Sequence, residues 1–226
     1  HRVDRRQRQM CIRDRDWPEY ALTARALGVA TIGWIHSFAG RPTYDGSGMH
    51  GLLKESLPLL ATTVTLSPLD VAFWKLRGVE RTVYLPNPPS PLMLESRGDA
   101  VARRRRDGRI ELVWCGRLDD RTKRVTDLID VAHELRRLSM DFRITVIGPD
   151  GGDLTSDRFN ELARARHLDG FIEAVGEKRG QHLIDALDGA DAFVTTSVIE
   201  GYQLTIVEAQ ARGLPVFMYE LSLIHI

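Results

Sequence analysis

The sequence predicts an α/β protein with two parallel-sheet domains, both incomplete. Short apolar stretches typical of buried strands alternate with stretches of helical periodicity, most regularly after residue 110. Glycine or proline separates most of these elements, and glycines and polar residues cluster after the strands. Strands that alternate with helices indicate parallel sheets with helices on both faces. Both domains are predicted to be incomplete because no strand precedes the first helix and nothing covers the last strand.

Both ends of the chain have the pattern of translated adapter DNA. Codons for residues 221–226 have a reverse complement that, in a shifted frame, encodes Met10-Cys11-Ile12-Arg13-Asp14. A sequencing library with the same adapter at both ends would produce this relation, whereas two ends of one protein have no reason to show it. We therefore set aside residues 1–15 and 221–226. A basic N-terminal arm or a mitochondrial presequence is the alternative for the first segment.

The remaining residues carry a small negative charge. The chain has 31 basic and 31 acidic residues; removing the six arginines and two aspartates of residues 1–15 leaves 25 and 29, a formal charge of −4. The basic character that would favour a nucleic-acid partner is thereby weakened. Cys115 is the one cysteine left, which excludes a disulfide framework and a cysteine metal site and fits a reducing compartment. No apolar run reaches about 20 residues, so no membrane span is predicted.

The first half of the chain predicts three strands with helices before and between them. Gly28 and Gly78 end two of the helices, and Pro68 takes a first helical position, where its missing N–H costs nothing. His36 follows the first strand directly. In chain order the predicted elements are the helix 17–27, the strand 29–35, the loop 37–49, the short helix 50–60, the strand 62–66, the helix 67–76 and the strand 81–85.

A boundary follows, and then a regular alternation. The proline run at 86–89 and the charged stretch 95–109 are typical of a linker. The predicted elements after it are the strand 110–115, the loop 116–123, the helix 125–138, the strand 143–147, the helix 156–166, the strand 171–175, the helix 181–187, the strand 192–196, the helix from about 204 and the strand 215–219. Ligands of such sheets bind outside the carboxyl ends of the strands. The candidate residues there are His36, Gly116, Arg117, Gly148, Gly176 and 197–201.

The stretch 192–215 carries the main functional signal. It predicts a strand, a tight turn at 197–201 and a helix whose N-terminal N–H groups would attract an anion. Glu200 lies before that helix and Glu208 lies in its second turn. Two carboxylates would not bind the anion, but they suit the hydroxyls of an attached sugar or ribose. The alternatives are a helix cap for Glu200 and a surface helix residue for Glu208.

The loop after the strand 110–115 predicts an anion clamp. Arg117 and Lys123 stand six positions apart and could grip a diphosphate, since arginine offers a fork of donors and lysine a point charge. A solvated basic loop is the alternative, because Arg121 and Arg124 stand beside them. The pair Asp119-Asp120 resembles a metal pair, but neutralisation by the neighbouring cations is the favoured interpretation.

Two further groups have plainer interpretations. A lone histidine at a strand end, such as His36, is more often a hydrogen-bonded structural residue. The other histidines lack the spacing of metal ligands, so no metal site is predicted. The arginine run 103–106 has acidic neighbours and no interleaved aromatics, which favours a solvated linker; contact with an anionic membrane is the alternative.

The sequence resembles the large "group 1" family of retaining glycosyltransferases with the GT-B fold. The segments GRLDDRTKRVTDLIDVAHEL, ITVIGPDG and FVTTSVIEGYQLTIVEAQARGLPVF are similar to the family's C-terminal half. GVATIGWIHS and TTVTLSPLDVAFWKLRGVERTVYLPNPPSP are similar to the latter part of its N-terminal domain. The resemblance covers residues 17–219. It implies two Rossmann-like domains, an acceptor-side part at 16–94 and a truncated donor-binding part at 110–220, joined by a linker at 95–109.

The resemblance implies a role for each candidate residue. Arg117 and Lys123 would hold the diphosphate of a nucleotide-diphosphate sugar, and Glu208 would bind its ribose. Glu200 would face the hydroxyls of the transferred sugar, and His36 would reach that sugar from the N-terminal domain. The sugar would move to its acceptor with retention and without a metal or other cofactor, the donor being a co-substrate.

Further donor-binding positions and two departures follow from the same resemblance. The implied positions are Gly116, Gly201, Tyr202, Gln203 and Leu204, the last four through peptide N–H groups. The family often has glycine at the positions of Gln203 and Arg124; the Gln203 side chain is expected to narrow the pocket or alter the choice of sugar. As written, the chain is expected to be an inactive fragment of an enzyme.

Two other functions remain open at this point. One is a sugar-nucleotide epimerase of related fold, and the other is a non-catalytic module that binds a nucleotide sugar. The expected partners are the donor and a carbohydrate or glycolipid acceptor, with no nucleic acid. The expected location is the cytoplasm, with peripheral contact at the inner face of the membrane as an alternative.

Overall fold

The computed structural model describes residues 17–36, 55–95, 108–198 and 200–219. The two segments attributed to adapter DNA, the loop 37–49 and nearly all of the linker 95–109 lie outside these residues. The chain divides into two compact units. The first contains the described residues up to Asn87 together with Glu200–Tyr202, and the second contains the rest.

The first unit has a parallel sheet with the strand order β1-β2-β3. Ile35, Thr65 and Tyr84 are partners across the three strands, so the carboxyl ends of the strands lie at one edge. The described elements of this unit are α1 (Trp17–Ala26), β1 (Ile32–Ile35), a 3-10 helix (Leu57–Leu59), β2 (Thr62–Thr65), α2 (Pro68–Lys75) and β3 (Thr82–Tyr84). The order of the described elements agrees with the prediction. Part of the predicted helix 50–60 lies outside the described residues, and the described part contains the 3-10 helix.

The start of α2 confirms the predicted capping. The Ser67 hydroxyl accepts a hydrogen bond from the Asp70 N–H at 3.0 Å, and Pro68 is the first helical residue. The serine satisfies a backbone donor that the first helical turn leaves without a partner. Trp74, on the same helix, is fully buried and packs with Ile35 and Val79 in the core of the unit.

The second unit has a five-stranded parallel sheet with the order β6-β5-β4-β7-β8. Its described elements are α3 (Pro91–Glu95), β4 (Ile110–Cys115), α4 (Asp120–Lys123), α5 (Asp127–Arg137), β5 (Phe142–Ile147), α6 (Ser156–Ala165), β6 (Ile172–Ala174), α7 (Gln181–Asp188), β7 (Ala192–Thr195), α8 (Leu204–Ala211) and β8 (Val216–Met218). This is the parallel sheet that the alternation of strands and helices predicts.

Apolar strands and one face of each neighbouring helix form the core of the second unit. Phe142, Ile144 and Val146 alternate along β5 and are fully buried. The helices α5 and α6 add Leu128 and Phe159, which are also fully buried. A strand covered on both faces is apolar almost throughout, which explains the run of valine, tryptophan and cysteine in β4.

The structure corrects the prediction of a loop after β4, and it contains the short helix α3 (Pro91–Glu95), which was not predicted from the sequence. Residues 116–123, expected to be a loop throughout, contain the single-turn helix α4 at Asp120–Lys123. The Asp119 carboxylate accepts from the Thr122 N–H at 3.3 Å and thereby caps this helix. Four residues are too few to show helical periodicity, so the capping aspartate was the one signal that could have indicated this helix.

The described helices include no candidate for a membrane-spanning segment. None of them is both long enough and apolar enough to cross a bilayer.

Candidate functional site

The order in which strands are added to the second sheet reverses between β4 and β7. From β4 the chain adds β5 and β6 on one side, and it then returns to place β7 and β8 on the other side. A crevice opens at such a switch point, because the loops after the two flanking strands leave in opposite directions. Gly116 and Arg117 follow β4, and the loop that begins at Thr196 follows β7. Both segments predicted to bind the donor therefore flank the switch point.

The loop after β4 is packed backbone to backbone against the loop after β5. A Cβ atom on Gly148 would lie 1.6 Å from the Gly116 carbonyl oxygen, and one on Gly151 would lie 1.8 Å from that of Leu118. The Gly116 N–H donates to Ile147 O at 2.9 Å, and the Leu118 N–H donates to Pro149 O at 3.0 Å. The backbone that carries Arg117 is thus fixed, while the Arg117 side chain is exposed to solvent.

Two aspartates organise the turn that carries Lys123. Asp119 caps α4, and the Asp120 carboxylate accepts from the N–H and the hydroxyl of Thr126, each at 2.8 Å. Arg124 then turns the chain in a left-handed conformation, with φ 48° and ψ 47°. Glycine adopts this conformation at no steric cost, which explains a glycine preference at this position. The two carboxylates accept hydrogen bonds from backbone N–H groups of the turn. Their interpretation as partners of the neighbouring cations did not predict this role.

The loop after β7 is hydrogen-bonded to the carboxyl end of α4. The Thr196 hydroxyl donates to Lys123 O at 2.9 Å, and the Val198 N–H donates to Thr122 O at 3.0 Å. Carbonyl groups in the last turn of a helix lack intrahelical partners, and these two donors satisfy a pair of them. The structure therefore brings together the cationic loop and the loop before α8, as the sequence predicts.

The Gln203 side chain points into the protein. It is 6% exposed, and its amide nitrogen donates to the Thr195 hydroxyl at 3.0 Å. That hydroxyl also lies 3.3 Å from the hydroxyl of buried Ser197. The expectation that this side chain narrows the pocket is wrong, because its amide completes a buried polar cluster beneath the turn. Its backbone caps α8.

Glu208 lies on α8 close to the end of β4. Its side chain is half-buried, and this burial raises the pKa of its carboxyl. Burial, and then the charge of Glu208, raise the pKa of the buried Cys115 thiol. A thiol with a raised pKa stays protonated, so Cys115 is a packing residue rather than a nucleophile. Glu208 therefore stands beside the strand end that leads into the Arg117 loop.

His36 lies at the carboxyl edge of the first sheet and has two described partners. Its ring stacks on Trp34, with centroids 5.8 Å apart and 17° between the planes. The side-chain nitrogen of Asn87 lies 3.4 Å from His36 Nδ1. Burial lowers the pKa of His36, which favours the neutral ring. The interpretation of His36 as a hydrogen-bonded residue and its role toward a sugar are compatible, since Nε2 is not used by these contacts.

The remaining candidates lie at the turn before α8. Glu200, Gly201 and Tyr202 group with the first compact unit, although the chain continues from them into the second. Glu200 is half-buried. Burial, and then the charge of Tyr84, raise the pKa of the Tyr202 hydroxyl. Leu204, the first residue of α8, is 42% exposed.

Sequence reasoning missed several residues that shape this edge. Thr196 and Asp120 hold the two loops, and Gly151 permits the close approach of the loops after β4 and β5. A glycine pair after a strand was a usable signal for that approach. The position of Asn87 between two prolines at a strand end was a usable signal for a residue that contacts His36. In the described part of the chain, no group of three or more His, Cys, Asp or Glu residues is placed to hold a metal ion.

The sequence profile of one protein family matches this chain. The family is described as Glycosyl transferases group 1, and the match covers residues 109–223 of the 226. These residues contain the five-stranded sheet, the Arg117 loop and Glu208. No curated protein sequence matches the chain.

Several solved structures have a fold similar to that of this chain. The lipopolysaccharide outer core galactosyltransferase WaaB is 20% identical over 93% of this chain and 56% of its own, with a TM-score of 0.65. Anabaena Alr3699/HepE, solved in complex with UDP-glucose, is 15% identical over 92% of this chain and 58% of its own, with a TM-score of 0.69. S. aureus TarM, solved with UDP, is 16% identical over 85% of this chain and 37% of its own, with a TM-score of 0.67. The chain spans between 37% and 58% of the length of these three proteins.

Proposed function

The chain belongs to the glycosyl transferases group 1 family and has its GT-B fold, and from that premise we propose that it is part of a retaining, metal-independent transferase that uses a nucleotide-diphosphate sugar. The observation that carries the proposal is the pair of hydrogen bonds that joins the turn of Lys123 to the loop before α8. These contacts hold the cationic loop beside the loop that leads to α8. We infer that the two loops line a crevice that holds the donor.

The donor diphosphate would lie between the loop after β4 and the start of α8. The fixed backbone at Gly116 would present the Arg117 guanidinium, which pairs with phosphate oxygens through two parallel donors. Lys123 would add a point charge. The N–H groups at the start of α8 point outward and carry the positive end of the helix dipole. The proposal therefore gives the phosphates positive charge on two sides.

Glu208 would bind the ribose of the donor. A half-buried carboxylate has lost part of its hydration, as its raised pKa indicates. Two ribose hydroxyls would supply hydrogen bonds in place of that water, and each is stronger than a bond between neutral groups. Because Glu208 lies near Cys115 at the end of β4, we infer that it faces the same crevice as Arg117. This role makes the buried charge useful, since the ligand offsets its desolvation.

Departure of the nucleotide diphosphate would be the difficult step. Arg117, Lys123 and the N-terminus of α8 would stabilise the negative charge that grows on the leaving phosphate. The acceptor would attack from the face that the phosphate leaves, and the phosphate would take the acceptor proton, so the anomeric configuration is retained. Glu200 and His36 would orient the transferred sugar. We propose that these cations take the part that a divalent ion plays in other transferases.

The domain assignment and the extent of the chain are part of the proposal. We infer that residues 16–94 belong to an acceptor-side domain and residues 110–220 to a donor-binding domain. We also infer that the activity belongs to a longer gene product and that the chain as written is inactive. The acceptor would be a carbohydrate or glycolipid, and the cytoplasmic location stays a prediction.

The test is product analysis on the full-length gene product with labelled donors. UDP-glucose is the first donor to try, because a protein of similar fold was solved with it; other UDP, GDP and ADP sugars follow. We expect a glycosylated acceptor with the donor's anomeric configuration by NMR, at a rate unchanged by excess EDTA. An epimerised donor would replace the proposal with an epimerase, and donor binding without turnover would replace it with a binding module. Inverted product or loss of activity in EDTA would overturn the mechanism.

A further inference from the structure

We propose that Asn87 is a positioning residue that holds His36 in the tautomer with its proton on Nε2. The inference rests on the proposed function in one respect, the role of His36 toward the transferred sugar. The side-chain nitrogen of Asn87 lies 3.4 Å from His36 Nδ1. An amide nitrogen is only a donor, so the ring nitrogen that faces it must carry a lone pair. In a neutral imidazole the proton then sits on the other nitrogen, Nε2.

The backbone around Asn87 is suited to holding a side chain in place. Asn87 lies between Pro86 and Pro88, at the edge where the strands of the first sheet end. The proline that follows keeps Asn87 in an extended conformation, and the φ angle of each proline is fixed. A backbone that is already restricted loses less conformational entropy on folding, so the segment that carries Asn87 is held in place more easily. The side chain of Asn87 is half-buried, which strengthens a hydrogen bond to the ring.

Trp34 fixes the plane of the His36 ring, and Asn87 fixes which way round the ring lies. Trp34 and His36 are two residues apart on β1 and its continuation, so their side chains point to the same face. Their rings are nearly parallel, with 17° between the planes. Stacking alone would allow the imidazole to turn over by half a rotation. A donor at Nδ1 removes that freedom, because the turned ring would offer the amide a C–H group.

The competing arrangement has the opposite tautomer. If the Asn87 amide lies the other way round, its oxygen accepts from an N–H at Nδ1 and Nε2 carries the lone pair. The lowered pKa of His36, caused by burial, keeps the ring neutral and so makes the tautomer the property that matters. With the proton on Nε2, the ring donates a hydrogen bond to a sugar hydroxyl without adding charge. The two arrangements are therefore distinguishable by spectroscopy and differ in function.

The first experiment reads the tautomer directly in the chain. With ¹⁵N-labelled histidine, NMR distinguishes a protonated from an unprotonated ring nitrogen, and His36→Gln assigns the signals. We expect Nε2–H and an unprotonated Nδ1 in the wild type. Asn87→Asp replaces the donor by an acceptor of the same shape, so Nδ1 should become protonated. Gln210→Glu makes the same chemical change at an exposed position and should leave His36 unaltered. An Nδ1–H tautomer in the wild type, or an unchanged ring in Asn87→Asp, overturns the inference.

The second experiment measures the consequence in the full-length gene product. We expect Asn87→Asp to lower kcat about 10–100-fold, by analogy with the loss of the partner that orients a metal-bound histidine, with KM for the donor within about 2-fold. A loss of thermal stability without a change of tautomer would show a structural role and overturn the proposal. If the wild type has the expected tautomer but transfers no sugar, the proposed function fails while the positioning of His36 stands. If it transfers sugar with the wrong tautomer, this inference alone fails.

Discussion

Arg212 and Asp188 form a buried ion pair between the carboxyl ends of α8 and α7. Arg212 Nε donates to Asp188 Oδ1 at 2.7 Å, and the side chains are 0% and 12% exposed. A second arm of the same guanidinium donates to the Met93 carbonyl of α3 at 3.1 Å. One arginine thus joins three helices of the second unit. Because the buried Arg212 guanidinium uses several of its donors at once, this ion pair is held in place more firmly than an exposed pair.

Loss of one partner of this pair should destabilise the second unit strongly. We expect Arg212→Met to lower the free energy of unfolding by about 3–5 kcal/mol, since it leaves a carboxylate in a dry environment. The double variant Arg212→Met/Asp188→Leu should recover much of the loss. Urea unfolding of both variants checks this. Arg158→Met, which removes an exposed pair with Glu161 at 3.0 Å, is the matched control and should cost less than about 1 kcal/mol. Equal effects of the two single variants would contradict the burial argument.

The loop after β5 should not tolerate a methyl group at Gly148. A Cβ there would lie 1.6 Å from the Gly116 carbonyl oxygen, so Gly148→Ala must displace the loop that carries Arg117. We expect a loss of at least about 1–3 kcal/mol in stability and weaker donor binding. Gly152→Ala is the control, because its Cβ would have no atom within 4 Å. Thermal unfolding and calorimetric titration with the donor measure both effects. If the two alanine variants behaved alike, the close packing of these loops would be refuted.

Lys123 should contribute to the transition state rather than only to binding. We expect Lys123→Ala to reduce kcat/KM of the full-length gene product roughly 30- to 1000-fold. This corresponds to a loss of about 2–4 kcal/mol of transition-state stabilisation, as for removal of one preorganised donor. Steady-state kinetics with varied donor provides the measurement. Arg121→Ala removes an exposed cation from the same short helix and serves as the control. Similar losses in both variants would mean that general positive charge, not the position of Lys123, assists the reaction.

The ionised carboxylate of Glu208 should lower the free energy of unfolding, although it should strengthen donor binding. Burial raises its pKa, so the folded state holds the proton more tightly than the unfolded state does. Stability should then fall as the pH rises from the unfolded pKa, near 4.5, through the folded pKa. Glu208→Gln removes this effect. It should raise the melting temperature at pH 7 and change it little below pH 4.5, and it should also weaken donor binding.

Thermal unfolding at both pH values and titration with the donor test this prediction. Glu161→Gln is the control, because Glu161 is exposed and lies on α6 of the same unit. A lower melting temperature for Glu208→Gln at pH 7 would show that the charge stabilises the fold. Unchanged donor binding would remove Glu208 from the site.

The pattern of apolar residues along the chain predicted the fold, because it reflects which side chains are buried away from water. The strands β4, β5 and β7 consist mainly of apolar residues, and α5 has one apolar face, so their order and type follow from hydrophobic periodicity. Ser67-Pro68 predicted the start of α2 through local capping. The turn of α4 was missed because it depends on Asp120 reaching Thr126, a contact of side chain with backbone that leaves no periodic trace.

The site was predicted in part for a similar reason. Strand ends place Arg117 and the loop before α8 at one edge, so their convergence follows from topology. The direction of the Gln203 side chain could not be predicted, because it depends on the buried Thr195 hydroxyl, which lies eight residues away. The link between Thr196 and Lys123 likewise joins residues that are distant in the chain. Contacts of this kind are decided by packing and not by local sequence.

The interlocked glycines after β4 and β5 have a consequence for protein engineering. Because the backbone at Gly116 and Leu118 fills the space that side chains on Gly148 and Gly151 would need, neither loop can be redesigned alone. A transplant meant to change donor preference has to carry residues 116–119 and 148–151 together from a single parent. Chimeras that split this block should misfold locally even when every exchanged residue is individually acceptable.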